Sequence, residues 1–101
     1  MPTPQGAALQ SRLQAGFDAL ATGDWQGAGA ICNEVLAAAP NLPRAHFLAA
    51  RIALHRGDRA MAVKALEATV RINDRHAAAW ANLAWLYASE GRLRRADASL
   101  K

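Results

Sequence analysis

The histidines and the cysteine of this 101-residue sequence, His46, His55, His76 and Cys32, are the first residues to test as metal ligands or nucleophiles. Their placement argues against both roles. No histidine shares one helical face with a cysteine or carboxylate in a way that would assemble three or four ligands, and Cys32 stands alone, expected as a buried, inert thiol. Gly23, Gly57 and Gly91 lie far apart, so they form no phosphate-cradling loop and each is expected to end a helix. No catalytic residue, metal site or cofactor is expected. What remains is the chemistry of recognition. Arginine grips carboxylates with a planar fork, asparagine and glutamine amides pair with an extended backbone, and aromatic rings add apolar contact.

Composition bounds the setting for that chemistry. The apolar fraction of 52% leans on alanine while aromatics are only 6%, which suits closely packed helices better than a sandwich or barrel. One cysteine permits no internal disulfide. The Met-Pro-Thr-Pro-Gln-Gly start lacks the basic and then apolar run of a secretory signal, and no stretch reaches the roughly 18 to 20 apolar residues of a membrane span. A cytoplasmic module is expected. Residues 1–43 hold one base, Arg12, and three acids, whereas residues 44–101 hold eleven bases and five acids. That basic half favours acidic partners, although scattered arginines also serve as an ordinary solvated face.

The elements that must position these side chains follow from a repeat. Stepping back by 34 residues carries Gly91 to Gly57 and Gly23, Ala96 to Ala62 and Ala28, Ala84 to Ala50 and Gly16, and Leu100 to Leu66 and Cys32. The run Trp80-x-x-Leu83-Ala84-x-x-Tyr87, then Ala96-x-x-x-Leu100, resembles the tetratricopeptide repeat, whose signature is W-x-x-L-G-x-x-Y, then A-x-x-x-F, then P. Pro40 supplies the closing proline of the first unit. The departures are Arg12 and His46 in the tryptophan column, Ala19 and Ala53 in the tyrosine column, and Asp74 in place of a second proline. His46 is expected to substitute for the usual core tryptophan. On this register an N-terminal arm or frayed start covers 1–8, and the units cover 9–42, 43–76 and 77–101, the last incomplete and uncapped. The implied fold is all-α, a right-handed α-solenoid of antiparallel helix pairs, about six helices in all.

Local signals agree. Leu9, Leu13, Phe17 and Leu20 recur at helical period over 7–21, and Thr22-Gly23-Asp24 closes that helix and caps the next, over 25–38. Pro43 suits the first turn of a third helix reaching about 55, after which Gly57-Asp58 repeats the turn and a fourth runs to about 72. A fifth is expected over 77–89 with Trp80 and Tyr87 packed on its inner side. After Glu90-Gly91, a short sixth is expected to carry Leu93, Ala96 and Leu100, with Arg92, Arg94 and Arg95 at its start. Small residues in the shared columns let paired helices approach closely.

The resemblance implies that the first helix of each pair lines a concave groove. In the third helix, His46, Ala49, Ala50 and Ala53 follow the small-residue columns inward, leaving Arg44, Phe47, Leu48, Arg51, Leu54 and His55 toward the groove. Gln10, Gln14 and Phe17 join them from the first helix, with Ala78, Asn82, Trp85 and Ser89 from the fifth. The candidate peptide-binding set is therefore Gln14, Phe17, Arg44, Phe47, Arg51, His55, Asn82 and Trp85, although Phe47 and Leu48 could equally pack between helices. Some members of the family hold a C-terminal carboxylate with Lys, Asn and Arg at fixed columns. Here those columns read Leu13, Phe17, Leu48, Ala78 and Asn82, so that particular activity is not expected.

The expected function is a non-catalytic scaffold that binds a peptide or helix of a partner protein, with acidic character suited to the basic half. Alternatively, the units form the N-terminal accessory region of a larger enzyme, for example a transferase. Single-stranded nucleic acid is a weaker third reading, since the chain lacks the regular pair of polar residues per unit that such reading needs. The last helix pair is expected to expose Trp85, Leu86, Leu93 and Leu100, which points to a fragment of a longer array or to two copies covering each other's ends.

Overall fold

Two glycine–aspartate turns set the path of the chain. The structure, a computed structural model, describes the backbone of residues 4–100 and the side chains of residues 7–90. Its helices are α1 (Pro4–Ala21), α2 (Trp25–Ala38), α3 (Pro43–His55), α4 (Arg59–Ile72) and α5 (Ala77–Leu100). At Gly23 and Gly57 the backbone takes φ of 88° and 75°, a region that costs glycine nothing. The next residue's amide then reaches back over the helix end, Asp24 N–H to Ala19 O at 2.8 Å and Asp58 N–H to Ala53 O at 2.9 Å. The two aspartates start α2 and α4 by accepting from Gly27 N–H at 3.0 Å and Met61 N–H at 3.1 Å. Equivalent residues make equivalent bonds 34 positions apart.

Packing repeats in the same way. Ala28 in α2 and Ala62 in α4 are fully buried where each meets the helix before it, and Cys32 and Leu66 are buried one turn later. One apolar cluster joins α1, α2 and α3 through Leu13, Leu20, Val35, Leu48 and Ile52. The other joins α3, α4 and α5 through Ala50, Leu66, Val70, Leu83 and Leu86. Because α3 contributes to both, the hairpins stack into one body. No helix among the described residues is long and apolar enough to cross a membrane.

Three expectations need correction. Among the described residues there are five helices and not about six, because α5 continues through Gly91 to Leu100 with no turn at the third glycine. The reason is legible next door: Gly23 and Gly57 are each followed by a capping aspartate, whereas Gly91 is followed by Arg92. Without an acceptor to start a new helix, the existing one runs on at the roughly 1 kcal/mol that an interior glycine costs. No sixth helix therefore folds back, and Trp80 and Tyr87 are about half exposed instead of packed within a pair. Finally, α1 begins at Pro4, earlier than expected, which the fixed φ of a first-turn proline favours. The expectations for residues 1–3, and for the side chains of Arg92, Leu93, Arg94, Arg95, Ala96 and Leu100, lie outside the described residues.

Candidate functional site

Helix α3 is the centre of the candidate site. Proline at its first turn starts it, and its winding buries Ala45, Leu48, Ile52, Ala50 and Ala53 while leaving Arg44, Arg51 and His55 exposed and Phe47 half-buried. Leu48 corrects the expected groove stripe. It is 0% exposed, packed with residues of α1 and α2, its Cδ2 filling the space that the small Gly16 leaves open.

On the open side, Arg44 is held by neutral groups. Its guanidinium donates to Gln10 Oε1 at 3.1 Å and Gln14 Oε1 at 3.5 Å, and lies 5.4 Å from the centroid of the Phe17 ring. Among the described residues the ion pair is elsewhere, between exposed Arg12 and Glu34, so the charge of Arg44 is not neutralised by a carboxylate. Rings continue the surface across the helices: Phe17 and Phe47 have centroids 6.3 Å apart, and Phe47 and His76 4.7 Å. His76 precedes α5 and accepts the Ala79 N–H at Nδ1, 3.2 Å away. An amide N–H can only donate, so the neutral ring carries its proton on Nε2.

Two adjoining clefts share Phe17 and Phe47 as walls. One, of about 530 Å³, is lined by Gln14, Phe17, Arg44, Phe47, Asn73 and His76. The other, of about 280 Å³, adds Leu20, Arg51 and His55. Thus Gln14, Phe17, Arg44, Phe47, Arg51 and His55 share one continuous surface. The remaining two candidates are engaged differently. Asn82 donates to Ala78 O at 2.9 Å within its own helix, and Trp85 lies over the Arg59 guanidinium at 5.5 Å. Sequence reasoning missed Asn73 and His76. The available signal for His76 was its position before α5, where a polar side chain can receive a free N–H of the first turn, whereas Asn73 caps α4 and receives the Arg75 N–H.

His46, expected in place of a core tryptophan, is half-buried, and its Nε2 lies 2.7 Å from Pro40 O. Trp80, 34 residues on, donates its indole N–H to Asp74 O at the same 2.7 Å. Cys32 is buried with its Sγ 3.3 Å from Ala45 O, and burial pushes its thiol above the ordinary cysteine range. It is placed to be inert.

The family model for the tetratricopeptide repeat matches residues 19–74, more than half of the chain. The chain belongs to the tetratricopeptide repeat family. None of the curated proteins matches it. The matched span takes in both glycine–aspartate turns, the buried alanines of α2 and α4, and the whole of α3. Tetratricopeptide repeats suggest a protein-interaction scaffold, in keeping with a site made of cations, amides and rings. Among the described residues no three potential metal ligands converge.

Proposed function

We propose that this tetratricopeptide array binds an extended, acidic segment of a partner protein along the groove of α1 and α3, with no chemistry of its own. The observation that carries this reading is Arg44, a cation held between amides and a ring at the edge of a cleft walled by Phe17 and Phe47. Arg51 and His55 extend the polar edge along the second cleft, so a strand-like peptide can set acidic side chains on the arginines and apolar ones between Phe17 and Phe47. The test is fluorescence anisotropy with blocked decapeptides that mix acidic and apolar residues. Parent binding should weaken as salt rises, and Arg51→Glu should bind at least tenfold more weakly at low salt, a gap that narrows as salt rises. Equal binding by parent and Arg51→Glu would put the groove on the wrong face.

A specific observation on α5 favours a second contact surface. Ala84 and Tyr87 occupy the columns of Ala50 and Ala53, which are buried in the cluster shared with α4, yet here they and Trp80 are exposed. This face pairs with a second copy of the chain. Sedimentation of the parent and of Trp80→Lys should show a dimer that the variant loses, and a monomer for both at about 100 µM contradicts the pairing.

A further inference from the structure

We propose that His76 ties the docking of α5 to pH: neutral, its ring caps the helix start, and protonated, it lets that start go. The three histidines meet their surroundings in different ways. His46 Nε2 lies 2.7 Å from Pro40 O, and a carbonyl only accepts, so that ring donates and still donates once charged. His55 sits in the last turn of α3 with its ring stacked on Trp25, at the helix end that favours a cation. His76 is bound as an acceptor, its Nδ1 receiving the Ala79 N–H at 3.2 Å.

Protonation therefore leaves the bond at His46 in place and removes the one at His76. Turning the ring does not restore it, because both nitrogens of an imidazolium donate. The free N–H groups of the first turn then face a cation, at the end of the helix whose dipole opposes positive charge. The cleft that His76 lines brings Arg44 from α3 and neutral Gln14 from α1, whose Nε2 rests on Asp18, and no carboxylate is among its lining residues. Around the turn, Arg71, Asp74 and Arg75 are exposed, two bases to one acid. The Phe47 ring, 4.7 Å away, favours a cation, and it is set against the lost cap, the helix start and Arg44 together. Ala79 and Leu83 are buried in the cluster that α5 shares with α3 and α4, so the turn released is one that docks the helix. Because charging the ring breaks a bond present only in the folded chain, this contribution to stability is lost as pH falls through the histidine range, about 8 to 5.

The test compares urea melts at about pH 7.5 and about pH 5 for the parent and His76→Asn, whose Oδ1 caps a helix without titrating in that range. The folding constant of the parent relative to that of His76→Asn should fall about threefold or more on acidification, the loss of one cap. The same fall should appear when both chains also carry His46→Gln and His55→Gln. In the parent alone, NMR should show the Ala79 amide losing protection, relative to its intrinsic exchange rate, as the His76 ring titrates, while Ala62 in α4 keeps its own. A ratio of folding constants that is equal at the two pH values, a fall that disappears with His46 and His55, or an Ala79 amide that does not follow the His76 ring overturns the proposal. Neither measurement involves a peptide, so the groove reading above stands or falls separately.

Discussion

An alanine Cβ at position 16 would stand 2.7 Å from Leu48 Cδ2 and 3.2 Å from Ile31 Cγ2, so the absence of one methyl group lets α1, α2 and α3 meet. At Gly29, also inside a helix, the same Cβ would meet nothing within 4 Å. The two substitutions should therefore differ in sign. Gly16→Ala should destabilise by about 1–3 kcal/mol through overpacking, whereas Gly29→Ala should stabilise by up to about 1 kcal/mol through helix propensity. Urea melts of the two variants check this, and a common sign would contradict the packing described. Cys32 gives a pH test at the same scale. Its folded thiol holds its proton above the ordinary value of 9.0, so the unfolded chain loses the proton first. Stability should be unaffected by this group below pH 9.0 and fall above it, by up to about 1.4 kcal/mol per pH unit until the folded thiol ionises. Cys32→Ala should remove that component of the alkaline slope.

Among the elements, the two hairpins and the long α5 differ by one residue's chemistry. A positive-φ glycine ends α1 and α3, but the aspartate after it begins the next helix, and each of Asp24→Ala and Asp58→Ala should cost about 0.5–2 kcal/mol. The third glycine lacks that companion. Arg92→Asp should restore the turn, breaking α5 at Gly91 so that the following residues fold back over Trp80 and Tyr87. A blue shift and rise in tryptophan emission relative to the parent would register it, and an unchanged spectrum would mean that the cap is not what distinguishes the turns. As the chain stands, Trp80→Ala should cost less than the roughly 3–5 kcal/mol of a fully buried aromatic, because half of the ring is in water.

Over the whole molecule, the repeat was the legible part. A 34-residue period, two caps and a row of small residues are local or periodic features, and in 19–74 each goes with a helix, a turn or a close approach. The missing sixth helix was in principle also readable, since Arg92 breaks the glycine–aspartate pattern, but the column match at Ala96 and Leu100 pointed the other way. The site was only partly readable. Periodicity separates faces of a helix but cannot say that Leu48 fills the space above Gly16 while Phe47, one residue earlier, stays in the cleft. Nor could it bring Asn73 and His76, on the turn after α4, beside Arg44, since that juxtaposition depends on how three helices stack.

The central claim is that the α1 and α3 surface is where this array meets its partner. Mapping amide shifts while titrating an extended acidic peptide tests it most directly. The changes should gather at Gln14, Phe17, Arg44, Phe47, Arg51 and His55, while changes confined to the α2 surface around Gln26, Gly29 and Asn33 would contradict it.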